Sequence, residues 1–329
     1  MKELTKYTTT LTKLLEKLEV FDFDKLDYDY LELKKAFDIA YSFEIFNLSD
    51  IEKEKIDIYK YELFKTLTFS SGNLSFLAIQ ILAANAIMNI NNFAKKEIYF
   101  KKKCGIAINH LRVPKTIVRA TKVDNGYKLN GTLTWASGYN IFDTLLIGFH
   151  CDNLEYEVMA DFKQQEGFII GEAPKTFVGN ALNTVNIELK DFFVLDENIV
   201  SSKPIGNYTR NKAVSKTVHL CLYALGNSAL YYTKDMEFKN HASVQLNNLK
   251  DKFLLSNEPE EMDLLRVKLF ELVQNIITTA MVLNGGKSIL CSENLQRFYR
   301  EIIMFNANGL NNDLKEIAKK NFLTSIEGK

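Results

Sequence analysis

The chain has one tryptophan, Trp135, and it stands in the stretch GYKLNGTLTWASG, residues 126–138, between a tight-turn signal and a Ser-Gly pair. Read from the residues alone, an indole there caps the core of a β-domain, and Ser137-Gly138 makes a turn. Arg297 and Arg300 stand three apart in a helical pattern and so face one way. Such a pair either completes a phosphate site or forms salt bridges with Glu293 or Glu301. Gly285-Gly286 lets two backbones approach closely, or caps a helix. The histidines, His110, His150, His219 and His241, have no metal-ligand spacing to one another, so each is expected in a structural role. Cys104, Cys151, Cys221 and Cys291 lie far apart with no C-x-x-C pair, which predicts reduced, mostly buried thiols and no metal site. No G-x-G-x-x-G follows a strand, and neither a P-loop nor a G-x-S-x-G elbow is present, which argues against Rossmann, P-loop and hydrolase chemistry.

The elements that must position these residues fall into three zones. Before Gly72 there is no glycine, and the first proline is Pro114, so residues 1–95 read as an N-terminal helical domain. Within it NLSFLAIQILAANAIMNI is apolar on nearly all sides and belongs at the centre of a bundle. Residues 96–203 carry short β-branched and aromatic runs bounded by Gly, Asn or Asp, a central β-domain. Asp124-Asn125-Gly126 predicts a hairpin, and Asn130-Gly131 a second reversal or a bulge. Residues 204–329 return to helical spacing in four segments, a C-terminal four-helix bundle, with one helix starting at SNEPEE around Pro259. The fold class expected is therefore α+β.

The chain's 329 residues, 47% apolar and 12% aromatic, suffice for a large interior, and 41 basic against 41 acidic residues leave no net field to attract nucleic acid or an anionic membrane. The run LSFLAIQILAANAIM, interrupted by Gln80 and Asn85, falls short of the ~20 residues that cross a bilayer. Together with the reduced thiols and an N-terminus lacking an apolar signal core, this predicts a soluble, cytoplasmic protein without nucleic-acid or membrane partners.

The order helices, β-domain, helices, taken with ATKVDNGYKLNGTLTWASGYNIFDTLLIGF, resembles the acyl-CoA dehydrogenase superfamily, including its flavin-dependent monooxygenase branch. Two later segments support the likeness. VNIELKDFFVLDENIV is similar to the strand these proteins carry before their C-terminal bundle, with Leu195 where a proline is usual, and GGKSILCSENLQRFYRE is similar to their Gly-Gly turn and Arg-x-x-Arg-Asp/Glu helix. The resemblance implies a flavin, FAD or alternatively FMN, with Trp135 covering the isoalloxazine, Ser137 near its N5, Gly138 keeping the backbone close, and Arg297 and Arg300 completing the site. A flat apolar ring with a polar rim needs such a wall and a few oriented donors.

Two departures accompany the likeness. The family's catalytic glutamate follows the Arg-Asp pair, but in REIIMFNANGL no acid follows Glu301, and Asn308 stands closest to the histidine of the monooxygenase branch. An amide orients a carbonyl and takes up no proton at neutral pH. Where the family has an arginine for the FAD pyrophosphate, YYTKDMEFKNHASVQ has Met236, with Lys234 and Lys239 nearby. His110, in GIAINHLRVP, stands where the resemblance places a loop that meets flavin and substrate and is the candidate for an acid or base, with Asn308 the other candidate for a catalytic role. The resemblance thus implies a flavin-dependent oxidoreductase acting on a small molecule, such as an acyl thioester, and assembling as a homodimer or homotetramer. A monooxygenase of the same fold and a catalytically degenerate binding or scaffold protein are the alternative readings.

Overall fold

The computed structural model describes residues 2–49, 51–112, 116–210, 216–307 and 312–327. Six helices come first: α1 (Lys2–Leu18), α2 (Lys25–Tyr28), α3 (Tyr30–Ser42), α4 (Ile56–Ser70), α5 (Gly72–Ile90) and α6 (Lys96–Tyr99). Eight strands follow: β1 (Cys104–Ala107), β2 (Arg119–Val123), β3 (Gly126–Ala136), β4 (Thr144–Cys151), β5 (Leu154–Asp161), β6 (Phe168–Ile170), β7 (Val185–Leu195) and β8 (Ile199–Pro204). The remaining helices are α7 (Asn207–Arg210), α8 (Lys216–Tyr232), α9 (Met236–Leu255), α10 (Pro259–Asn284), α11 (Asn294–Ala307) and α12 (Asn312–Glu327).

These elements form two compact units, one of Met1–Ser75, Phe177–Gly179 and Ala213–Lys329, the other of Phe76–Thr176 and Asn180–Lys212. The first is helical. Leu14 and Leu18 of α1, Phe37 of α3, Leu63, Phe64 and Leu67 of α4, and Phe298 and Ile302 of α11 are all wholly buried. Every residue of α8 from His219 to Gly226 is buried, which explains why its sequence shows no polar stripe. At about 1.5–3 kcal/mol for each large apolar side chain removed from water, this shared interior is the unit's main source of stability. Helix α10 begins at Pro259, with Glu258 at the cap and Glu260 and Glu261 in the first turn, as the sequence predicts. It ends on Gly285, whose φ of +75° makes the Gly-Gly turn a helix cap.

The second unit is built on an eight-stranded sheet in the order β6-β7-β3-β2-β4-β5-β8, with β1 paired in parallel to β4. The hairpin between β2 and β3 turns at Asp124-Asn125, with Val123 opposite Gly126. Asn125 takes the positive φ of +60°. Gly126 serves differently: it lies within the strand, where a side chain would collide with the carbonyl of Val194 on β7. Asn130-Gly131 is a bulge, with Gly131 at φ +137° and a register shift against β7.

Helix α5 starts in the helical unit and continues into the second, where Ala84 and Met88 pack in a core with Phe93, Cys104, Leu146 and Met159. By length and composition it could cross a bilayer, yet more than half of its apolar window is buried in protein. Cys104, Cys151 and Cys221 are buried and Cys291 is exposed. Burial pushes the Cys104 thiol up to about 12, so it stays protonated and unreactive.

Candidate functional site

The end of β3 is distorted. Leu133 and Ala136 are buried while Thr134 and Trp135 between them are both exposed, so one extra residue breaks the alternation. The ladder to β7 shifts register at that point, between Leu133 and Ala136. Trp135 carries the distortion. Its φ is +60°, a conformation rare for a bulky residue, and its indole is 61% exposed. Such backbone strain persists only where neighbours fix it. Here the Trp135 N–H donates to Asn186 Oδ1 at 3.2 Å.

The next residues are stapled to the segment that leads into β7. Ser137 Oγ lies 2.8 Å from Thr184 Oγ1. The Gly138 N–H donates to the Leu182 carbonyl at 2.7 Å, and Tyr139 N–H to that of Asn183 at 3.2 Å. Asn183 Nδ2 returns a bond to the Tyr139 carbonyl at 2.8 Å. Gly138 adopts φ +89°, and any side chain on it would overlap the Phe142 ring. The edge thus presents one flat apolar surface beside the exposed Asn186 and the half-buried Asn183 and Thr184, with Ser137 buried behind them. Hydroxyls and carboxamides offer donors and acceptors that do not ionise near neutral pH. Asn183, Thr184 and Asn186 did not stand out in the sequence. Their only signal is that ALNTVN interrupts the apolar alternation that IELKDFFV resumes.

Arg297 and Arg300 belong to a different, buried network in the helical unit. Arg297 Nη1 donates to Glu301 Oε1 at 2.9 Å and to the Thr68 carbonyl at 3.4 Å. Its Nη2 donates to the Phe69 carbonyl at 2.8 Å and to Asn294 Oδ1 at 3.0 Å, and Nε donates to Asn294 Oδ1 at 3.3 Å. All five donors of the guanidinium therefore have partners in the protein. Arg300 pairs with the buried Asp27 and donates from Nε to Gln296 Oε1 at 2.9 Å. The Gly72 N–H completes the network by donating to Glu301 Oε1 at 2.7 Å. A side chain on Gly72 would lie 2.5 Å from the Glu301 carboxyl carbon, so the Ser-Gly break before α5 is where a helix start meets a buried acid. The structure brings Arg297 to Glu301, one of the two acids the sequence offers, in a buried rather than an exposed pair, an internal brace.

Burial pushes the Glu301 carboxyl up to about 7, with Arg297 acting in the opposite direction, and burial raises Asp27 as well. An acid whose folded pKa is raised binds its proton more tightly folded than unfolded. The stability it contributes is full below the unfolded value and falls as pH rises toward the folded one. Unfolding free energy should therefore decline between about pH 4.5 and 7. In a Glu301→Gln variant that decline should flatten, as read from urea midpoints across the range.

No family model and no curated protein matches the sequence. Solved structures do match. Butyryl-CoA dehydrogenase from Megasphaera elsdenii aligns at a TM-score of 0.76 and 14% identity over 97% of both chains. XiaF from Streptomyces, solved with FADH2 and glycerol, aligns at 0.71 and 12% identity over 98% of both. Dibenzothiophene monooxygenase from Paenibacillus aligns at 0.73 and 14% identity over 98% of this chain and 97% of that one. The chain has an acyl-CoA dehydrogenase-like fold.

In this acyl-CoA dehydrogenase-like fold the expected site residues divide between the two units. His110 lies with Trp135, Ser137 and Gly138 in the sheet-bearing unit, on the 3-10 turn Asn109–Arg112. Its Nε2 is 2.7 Å from the Gly148 carbonyl of β4, and burial holds its pKa below the usual imidazole value. In the neutral ring that nitrogen is the donor, so the contact fixes the tautomer. Met236 is the exposed first residue of α9, whose cap Asp235 accepts from the Phe238 N–H at 2.8 Å. Asn308 lies outside the described residues.

Proposed function

We propose that the protein is a flavin-dependent oxidoreductase of acyl-CoA dehydrogenase-like architecture, with Trp135 forming one wall of the flavin site. The single observation that carries this reading is the exposed indole held at φ +60° on the β3 bulge. A lone tryptophan capping a β core would be buried in relaxed backbone; this one is strained and outward, as groups reserved for a ligand are. Its flat face suits an isoalloxazine, and Thr184 and Asn186, with Ser137 bonded behind Thr184, supply a hydroxyl and an amide for the polar rim. A bound flavin, FAD or FMN, supplies two-electron transfer. The protein's own part is to hold the ring, orient a small organic substrate such as an acyl thioester, and exclude water. The likeness to XiaF, solved with FADH2, and to KijD3, solved with FMN, supports a flavin without choosing between them. Assembly as a homodimer or homotetramer belongs to the same reading.

The test is the absorbance spectrum of freshly purified protein, followed by mass identification of any released cofactor and titration with FAD and FMN. The expected result is a flavin bound at micromolar concentration or tighter, and a Trp135→Ala variant weakened about tenfold through loss of stacking. No flavin binding, or equal binding by the variant, would overturn the proposal. The saturated donors of Arg297 and the anchored ring of His110 favour one other reading, a flavin-binding or scaffold protein without turnover. Measurable turnover of an acyl-CoA, or oxygen-dependent turnover with reduced flavin supplied, excludes it.

A further inference from the structure

The bulge that exposes Trp135 also singles out the residue across from it. In the ladder between β3 and β7, Leu133 pairs with Ile187 and Ala136 with Val185, so Thr134 and Trp135 together face one residue, Asn186. A bulge of two against one leaves a strand N–H without its ladder partner. Here that donor is the Trp135 N–H, and Asn186 Oδ1 takes it at 3.2 Å. Asn186 is held from its other side as well, where its backbone carbonyl accepts from the Gly171 N–H at 2.8 Å. The indole and the carboxamide are both exposed, side by side on backbone that is fixed.

That bond decides which way round the amide lies. A backbone N–H is met only by the carboxamide oxygen, so Oδ1 turns to Trp135 and the two protons of Nδ2 are left over. Nδ2 makes no hydrogen bond among the described residues. The neighbouring Asn183 differs, since its Nδ2 is spent on the Tyr139 carbonyl. Any acceptor side chain would serve the Trp135 N–H; a carboxamide adds a neutral donor beside an exposed aromatic face. The exposed residues that follow on β7, Glu188 and Lys190, pair with each other at 3.0 Å, so charge along this strand is balanced. A neutral donor on such a surface matches an uncharged carbonyl, whereas phosphate is met by cations and forked guanidinium groups.

We infer that Asn186 is a specificity-determining residue of the site at Trp135: its oxygen positions the indole, and its Nδ2 donates to a carbonyl on the edge of the ring that lies against that indole. The inference rests on the flavin reading and adds to it the group that recognises the ring itself, in place of its phosphate. Recognition and positioning then belong to the two ends of one amide.

Trp135 is the chain's only tryptophan, so its fluorescence reports the positioning half without any ligand. Asn186→Asp keeps an acceptor for the Trp135 N–H and removes the donor, while Asn186→Ala removes both. Anisotropy and acrylamide quenching of the ligand-free protein should match the parent in Asn186→Asp, and in Asn186→Ala the anisotropy should fall as the indole loosens. Riboflavin, which has the ring and no phosphate, should bind about tenfold more weakly to Asn186→Asp, and FMN should lose the same factor. On the unmodified chain, riboflavin with sulfur in place of the ring oxygen at C2 or at C4 should bind about threefold or more weakly for one of the two analogues, and that loss should vanish in Asn186→Ala. Parental riboflavin binding by Asn186→Asp would reduce the residue to a support for the indole and overturn the inference. So would a loss confined to FMN, which would place the amide on the phosphate, or an Asn186→Ala protein unchanged in anisotropy and affinity. An unmodified chain that binds neither riboflavin nor FMN overturns the flavin reading and this inference with it; every other failure leaves the flavin reading standing. The sulfur analogues need no variant and decide the matter if the substituted chains fail to fold, since equal binding of both analogues and riboflavin excludes a carbonyl contact.

Discussion

An Arg297→Met variant should lose about 3–5 kcal/mol of unfolding free energy at pH 8, and regain part of it at pH 5. Removing the guanidinium leaves Glu301, fully buried, with the Gly72 N–H as its remaining donor and no counter-charge. It also strips donors from the Thr68 and Phe69 carbonyls at the end of α4. Glu301 already holds its proton to about pH 7, and without Arg297 it should hold it higher still. The penalty for the ionised form is therefore greatest in alkali and relieved in acid. The double variant Arg297→Met/Glu301→Gln separates charge from shape, because replacing both members of a buried pair costs far less than orphaning one. If urea midpoints at pH 8 show the single variant no less stable than the double, the brace is not electrostatic.

Replacing Gly138 with alanine should cost about 2–5 kcal/mol, combining a left-handed backbone that alanine resists with an overlap against a packed ring. Phe142 is almost wholly buried, and its ring is nested between two glycines, since a side chain on Gly105 would approach it to 2.6 Å. It has nowhere to withdraw. Trimming the ring with Phe142→Leu in the Gly138→Ala background should restore the packing part and leave the backbone part. The substitution should also weaken any ligand at Trp135, because residues 137–139 reach that position through the bonds to Leu182, Asn183 and Thr184. Denaturant midpoints and flavin titration on the same preparations check both statements. A Gly138→Ala protein as stable as its parent would mean that the turn relaxes.

The architecture was legible because its signals are local. The absence of glycine before Gly72, the short branched runs bounded by Asn-Gly, and Pro259 followed by two acids each reflect constraints acting within a few residues. The hairpin at Asn125 and the bulge at Gly131 follow from the same backbone rules. The candidate site was legible only in part. Trp135, Ser137 and Gly138 are adjacent in sequence, so a motif could carry them. Thr184 and Asn186 join them through strand pairing, and no spacing rule reaches across that distance. Arg297 and Glu301 show the limit most plainly: an i, i+4 pair looks like a solvated helix face until the carbonyls of Thr68 and Phe69 are found closing over it. Burial is a property of the whole chain, and charged residues reveal it poorly.

The bond from Gly72 to Glu301 spans 229 residues. The helices that precede it and those that follow the sheet share one interior, so during synthesis the early helices emerge long before α8 and α11 exist to cover them. The sheet-bearing segment is nearly continuous in sequence and can close upon itself sooner. Assembly on the ribosome should therefore run from the middle outward, with Leu63, Phe64 and Leu67 of α4 left wet until the last third of the chain arrives. A cell making this protein must shelter that face for the interval, and stalled nascent chains ending before residue 216 should bind holdase chaperones through α4.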